Sequence, residues 1–311
     1  MSTVMEQLAT SSPINIFENA VVVTLHLRKL GIKRRVESDA VTVDADTDMI
    51  HVHKDILDGG CEPLKRIRQI DGRIKRALDR RCLPIPLKGA RVVPDGFIEE
   101  IDAELEAARL EREFVGDQFC EIYPALVEAS KAKLRGQWNE SDYPSVEQVR
   151  RAFSMEYKYI MFAAVPEKLA ALSPEIFKRE QEKRSKELID AAREMQAALR
   201  VALAELVGDM IERLTQPDDN GKKKVIRPGK LVDNVRDFVA SFNVRNLTND
   251  TELAALTEKA KAILEGVDAD TLCKDLDIRK SVRQGFEAIK SNLDGMLTEK
   301  PARMLSLDDD E

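Results

Sequence analysis

Two histidines and two cysteines are the first residues whose types suggest chemistry. His51 and His53 are separated by one residue, and Cys61 and Cys82 follow. Imidazole nitrogens and cysteine thiolates are the ligands that zinc prefers, but this spacing matches no compact zinc motif. The two histidines would also share one face of a strand. We therefore predict no metal site and no cofactor, and we interpret His26 as an ordinary half-exposed strand residue.

Motifs for nucleophilic catalysis and for nucleotide binding do not occur in the sequence. There is no G-x-S-x-G, no G-x-x-x-x-G-K-[ST] and no G-x-G-x-x-G. The first of these patterns exposes a serine nucleophile, and the other two cradle phosphates with backbone N–H groups. Carboxylates are abundant but dispersed along predicted helix faces, which is typical of a solvated surface. We predict no catalytic residues and expect a protein that is not an enzyme.

The stretch from 62 to 81 has the densest local charge. Apolar residues recur there every three or four positions, which predicts an amphipathic helix. Its remaining faces carry the cations Lys65, Arg66, Arg68, Arg73, Lys75, Arg76, Arg80 and Arg81. These side chains could grip nucleic-acid phosphates, or they could pair with the acidic stretch 99–113 or with a neighbouring subunit. We favour pairing within protein and keep nucleic-acid binding as the alternative, because no aromatic residue interleaves the cations for base stacking.

A long helix from Ser173 to Thr215 is expected to organise the fold. Ser173 suits the N-cap and Pro174 the first helical position, and the rod would measure about 64 Å. Its second half carries an apolar seam at steps of three and four: Leu188, Ala192, Met195, Leu199, Ala202, Leu206, Met210 and Leu214. We expect the seam to dock on a helix at 95–123 or on a second copy. The charged first half, 178–187, should project outward or meet a polar partner.

Alternating residues around 19–27 predict a half-buried strand, and a second strand candidate at 155–161 could pair with it. Shorter β-like pieces lie at 40–43 and 49–52. Near the end of the chain, Asn249 followed by Glu252 is a capping-box signature for a helix. The predicted fold class is mostly α, with long antiparallel helices in a coiled-coil-like hairpin and a small N-terminal β element.

The expected domain organisation is a series of consecutive segments. They are a disordered tail at 1–12, a small β element at 13–60, a helical region at 61–172 with the basic helix and one further strand, the long helix at 173–215, an exposed linker at 216–229, a C-terminal helical region at 230–298 and an acidic tail at 299–311. No internal repeat of fixed period is present.

Composition limits the class of protein and its compartment. The formal net charge of −7 argues against a global affinity for nucleic acid. No run approaches the length of apolar residues that spans a membrane, and the first residues lack the features of a signal peptide. The cysteines are scattered at Cys61, Cys82, Cys120 and Cys273, which fits reduced thiols. We therefore expect a cytoplasmic protein that binds no membrane.

Four stretches follow one another along the chain. They are the strand 20–27 with the basic cluster Lys33, Arg34 and Arg35, the block 53–57 centred on Lys54, the block 153–160, and the block 246–253. Their order, over roughly 18–297, resembles that of an uncharacterised helical protein family of bacteria and their phages. No single motif is strongly specific, so the order of the blocks carries the resemblance.

The resemblance implies partners rather than an activity. Genes of the family tend to lie beside those of MoxR-like AAA+ ATPases and of proteins with a von Willebrand factor A domain, which resemble cobaltochelatase subunits. The expected function is therefore that of a self-associating scaffold or adaptor, plausibly phage-encoded, that works with such a system in the host cytoplasm. The alternative is a nucleic-acid-binding protein that uses the basic helix at 62–81.

Overall fold

The computed structural model describes residues 17–36, 52–161, 167–215 and 229–297. Several predictions concern residues outside these ranges. They are the tail at 1–12, His51, the β-like pieces at 40–43 and 49–51, the linker at 216–228 and the acidic tail at 299–311.

Helices dominate the described residues, and strands occur mainly in the first third of the chain. The helices are α1 (Glu62–Arg81), α2 (Ile98–Leu134), α3 (Val146–Arg151), α4 (Glu167–Leu172), α5 (Pro174–Leu214), α6 (Gly229–Arg245), α7 (Thr251–Ile263), α8 (Ala269–Lys274) and α9 (Leu276–Met296). The strands are β1 (Ala20–Leu27), β2 (Lys33–Arg35), β3 (His53–Asp55), β4 (Leu83–Pro84), β5 (Ala90–Pro94) and β6 (Met155–Ile160). The predicted mostly α fold with long helices and a small N-terminal β element is confirmed.

The strands form one sheet of order β4-β5-β1-β6 and a separate β2-β3 pair. β1 and β5 are antiparallel, with Val22 opposite Val92. Both faces of this pair are covered at its centre, because successive strand residues point to opposite faces and the consecutive residues Val22 and Val23, like Val92 and Val93, are all buried. The sequence predicted that the strand at 155–161 could pair with the strand at 19–27. This is confirmed, because β6 lies next to β1 in the sheet.

The chain divides into two compact units, each built from separate segments. The first contains the described residues up to Thr24, residues 76–101 and the described residues from Tyr159 onward. The second contains Leu25–Lys75 and Asp102–Lys158. The consecutive segments expected from the sequence do not coincide with these units, because β1, α1, α2 and β6 each continue from one unit into the other.

The core of the first unit is built around α5. This helix begins and ends where the sequence predicts, and the Ser173 hydroxyl accepts a hydrogen bond from the N–H of Ile176 at 3.5 Å. All the predicted seam residues are buried. All of them except Leu188 share one apolar cluster with residues of α6, α7, α9 and the sheet, such as Phe242, Leu253 and Phe286.

The prediction that the seam docks on the helix at 95–123 is wrong. The buried cluster around the seam contains no residue of α2. α9 packs in this cluster instead, because its apolar residues recur every three or four positions and line one face: Val282, Phe286, Ile289 and Leu293. Residues of α6 and α7 also contribute to the cluster. In contrast, the charged segment 178–187 is largely exposed, as predicted.

The N-terminus of α7 is capped by a different residue from the one predicted. Asp250, not Asn249, is the N-cap, and its Oδ1 accepts a hydrogen bond from the N–H of Leu253 at 3.0 Å. Asn249 instead takes a left-handed backbone conformation with φ 55°. The other carboxylate oxygen, Oδ2, accepts a 2.7 Å hydrogen bond from Arg200, and this buried pairing selects Asp250 for the cap.

In the second unit, α2 is longer than the sequence predicts. It runs to Leu134 and passes through Pro124. Its buried face includes Val115, Phe119 and Tyr123, and Phe119 packs edge-on against Phe153 with ring centroids 5.2 Å apart. The packing of these residues before Pro124, together with the buried Ser130 after it, holds the helix in place despite the missing N–H of Pro124.

Candidate interaction surfaces

The basic cluster and the lysine block of the resemblance meet in the second unit. β2 and β3 pair antiparallel with Arg34 opposite Lys54, and both side chains reach Asp142. Lys54 Nζ lies 2.8 Å from Asp142 Oδ2, and Arg34 Nε lies 4.0 Å from Oδ1. Arg34 also donates to the Asp142 carbonyl at 3.1 Å, and Lys54 donates to the Gln137 carbonyl at 2.5 Å. The flanking Lys33 and Arg35 are exposed.

Aromatic residues complete this cluster. Trp138 stacks on Tyr143 with ring centroids 5.9 Å apart, and Lys131 Nζ lies 4.7 Å above the Trp138 ring. Burial raises the pKa of Tyr143. Because Asp142 and carbonyl oxygens already accept the hydrogen bonds of Arg34 and Lys54, these two cations fasten the loop 135–145 to the β2-β3 pair.

The basic helix is α1, and several of its arginines form ion pairs with carboxylates. In the second unit, Arg66 and Arg73 both contact Glu111, at 3.0 and 2.7 Å. The hydrogen bond from Arg73 lowers the pKa of Glu111. In the first unit, Arg81 lies 3.0 Å from both Glu100 and Asp237. The internal pairing that the sequence favoured is therefore present at these arginines.

Other cations of α1 have different environments. Arg68 donates to the Gly59 carbonyl at 2.8 Å. Arg76 and Arg80 are half-buried, whereas Lys65 and Lys75 are exposed. Because phosphate binding needs several accessible cations on one face, the two lysines are the residues with which to test the nucleic-acid alternative.

One arginine of α2 interrupts its apolar face in the sequence, and the structure shows why this is tolerated. Arg112 is fully buried, forms an ion pair with Asp71 of α1, and donates to the Arg28 carbonyl at 2.7 Å. Lys29 Nζ lies 3.8 Å from the same carboxylate. A buried guanidinium requires such partners, so Arg112 joins α2 to α1 within the second unit.

The opposite face of α2 carries an apolar stripe that remains exposed. We define the α2 stripe as Ala103, Ala107, Leu110, Phe114, Gln118, Ile122, Ala125 and Ala129, all of them exposed. Phe114 is 63% exposed, Leu110 53% and Ile122 39%. Neither Leu110 nor Phe114 was among the residues predicted from the sequence to have a role. Their signal was present as a second set of apolar residues at steps of three and four, on the face opposite Leu105 and Phe119.

Three of the four residues considered as zinc ligands lie in the part of the chain that the structure describes. His53 is exposed on β3, Cys61 is half-buried and Cys82 is fully buried. Burial raises the pKa of Cys82 to about 12, so this thiol stays protonated at neutral pH. In the part of the chain that the structure describes, no three His, Cys, Asp or Glu side chains form a group that could hold a metal ion.

An open cleft of about 710 Å³ lies beside α2 in the second unit, and four of its charged lining residues form two pairs. Arg150 donates to Asp117 at 2.8 Å, and Arg109 donates to Glu113 at 3.3 Å. These pairs use the donors and carboxylates that a catalytic site would need, so the cleft suggests no particular reaction.

Family models, curated proteins and solved structures yield no match to this chain. The family resemblance and the partners that it implies therefore stay predictions. Among the described residues, no helix is both long enough and apolar enough to cross a membrane.

Proposed function

We propose that this chain is a scaffold or adaptor protein that binds other proteins through the α2 stripe. The observation that carries the proposal is the exposure of Leu110, Phe114 and Ile122 on one face of a long helix. Clustered exposed apolar side chains mark interaction sites in folded proteins, because their contact with water is unfavourable until a partner covers them. The seam residues of α5 are buried, so they cannot form a comparable exposed apolar surface.

The partners proposed are a MoxR-like AAA+ ATPase, a protein with a von Willebrand factor A domain, and further copies of the chain itself. The two named classes come from the family resemblance, as does a phage origin. Arg34 and Lys54, which belong to the first two blocks of the resemblance, have Asp142 as a common partner in this chain.

The test compares two charge substitutions at exposed apolar residues. The wild-type chain, Phe114→Glu and Leu172→Glu are each immobilised, and the binding of a purified MoxR-like ATPase and a von Willebrand factor A protein is measured. Leu172 is 75% exposed on α4 and serves as the matched control. We expect Phe114→Glu to weaken binding at least about tenfold, a loss of about 1.4 kcal/mol, and Leu172→Glu to leave it unchanged. Equal binding by all three chains would contradict the proposal.

Nucleic-acid binding through α1 is the second candidate, and the exposure of Lys65 and Lys75 is the observation in its favour. The carboxylates that already contact Arg66, Arg73 and Arg81 reduce the positive charge available to phosphates. We therefore rank this function below protein binding.

A further inference from the structure

We infer that the α2 stripe is the contact surface of a symmetric dimer, in which α2 of one copy lies antiparallel to α2 of a second copy. This inference rests on the proposed function, since it names the occupant of the same surface. Three features of the stripe support it: its length, its internal symmetry and the charges at its ends.

The length of the stripe suits a helix-to-helix contact. It covers eight positions over about seven turns, which is about 39 Å of helix. At a width of about 10 Å, the strip offers roughly 400 Å² per copy, or about 800 Å² in total. An interface of that size is smaller than stable specific interfaces and falls among weak, transient ones, so we expect a dimer that dissociates at micromolar dilution.

The order of residues in the stripe is close to a palindrome about position 116. In an antiparallel pair centred there, Ala103 faces Ala129, Ala107 faces Ala125, Leu110 faces Ile122 and Phe114 faces Gln118. Small side chains therefore meet small ones at both ends, and large side chains meet in the middle. A two-fold interface must be complementary to itself, and this order of residues satisfies that requirement.

The charges at the two ends of the helix favour the antiparallel arrangement. Glu99 and Asp102 lie just before the stripe, and Lys131 and Lys133 lie just beyond its end. In the register centred on 116, Lys133 faces Glu99 of the other copy and Lys131 lies near its Asp102, which outweighs the like-charged pair of Glu104 and Glu128. Antiparallel packing brings the acidic end of one copy near the basic end of the other. Parallel packing would oppose like charges at both ends, which is unfavourable.

The first measurement is sedimentation equilibrium across a wide range of concentrations. The chain has a mass of 35.0 kDa, and we expect reversible association to twice that mass. Phe114→Glu should weaken the dimer at least about tenfold, whereas Leu172→Glu should not change it. Circular dichroism should show folded helices in both variants, because both side chains are exposed. A wild-type monomer at every concentration, or a dimer unaffected by Phe114→Glu, would overturn the inference.

The second measurement tests the direction of packing by disulfide formation. Cys61 and Cys273, the two cysteines that are not buried, are first replaced by serine. Chains with Ala107→Cys and chains with Ala125→Cys are then oxidised separately and as a mixture. Only the mixture should form a cross-linked dimer, because identical positions in an antiparallel pair lie about 27 Å apart. Cross-linking of Ala107→Cys chains with each other would indicate parallel packing and overturn the inference.

The outcomes separate this inference from the proposed function. If the chain is monomeric but Phe114→Glu still abolishes binding of the ATPase or the von Willebrand factor A protein, the stripe is an adaptor surface and only the dimer is wrong. If Phe114→Glu affects neither association, both proposals fail.

Discussion

The seam of α5 and the α2 stripe have similar spacing and opposite environments. Both place apolar side chains every three or four residues along a long helix. The seam is covered by the C-terminal helices of its own chain, while the stripe keeps Phe114 and Leu110 exposed. A periodic apolar pattern therefore predicts a contact surface without saying whether the partner lies in the same chain. The following predictions test this difference.

Leu199→Asp in the seam should have the largest effect. It places a carboxylate in a closely packed apolar cluster, and we expect a loss of about 3–5 kcal/mol in the free energy of unfolding, enough to unfold the first unit. Phe114→Asp in the stripe is the matched change and should alter this free energy by less than about 1 kcal/mol. Urea denaturation followed by circular dichroism measures both. Similar losses for the two variants would mean that the stripe is also part of a core.

The buried face of α2 should be nearly as sensitive as the seam. Arg112→Ala leaves Asp71 without its main partner, and we expect a loss of about 3 kcal/mol in the free energy of unfolding. The double variant Arg112→Met with Asp71→Asn removes both charges and keeps the volume, so it should recover part of that loss. Urea denaturation of both variants gives the comparison. If the single variant were as stable as the wild type, the ion pair would not hold α2 to α1.

Glu111, on the same helix, should give a smaller effect that depends on pH. Its pKa in the folded protein is lowered by hydrogen bonds from Arg73 and Arg66, so its ionised form stabilises the fold above the unfolded-state pKa. That stability is lost as the pH falls through the folded-state pKa. Glu111→Gln should therefore cost about 1 kcal/mol or less at pH 7, and the difference from the wild type should vanish in acid. Denaturation curves at several pH values measure this. A cost that does not change with pH would point to packing instead.

The smallest effects on stability are expected at exposed lysines. Lys183→Ala, in the charged segment of α5, should change the free energy of unfolding by less than about 0.5 kcal/mol.

Lys65→Glu with Lys75→Glu should be similarly silent for stability, which makes the pair a clean test of nucleic-acid binding. If the wild type binds DNA or RNA at low salt and the double variant does not, α1 is a nucleic-acid surface and our preference for protein pairing is wrong. Electrophoretic mobility shifts at two salt concentrations decide this.

Local pattern predicted the positions of the elements well. The apolar period and the cap predicted the ends of α1 and α5 to within about one residue. This succeeded because helix periodicity and capping depend on residues that are close together in the sequence. β1 and β6 were predicted from alternation for the same reason. The cap at Asn249 failed because the choice of Asp250 depends on Arg200, which lies far away in sequence.

The sequence by itself determined the class of fold, the existence of the two long helices α2 and α5, and the charged character of 178–187. Each of these follows from residues within a few positions of one another. Only the tertiary structure decided what each apolar face meets. It placed the seam against α9 rather than α2, gave Arg112 its partner Asp71, and joined Arg34 and Lys54 at Asp142. It also showed that the α2 stripe is exposed. These outcomes depend on contacts between distant residues, and the period of a helix carries no information about its partner.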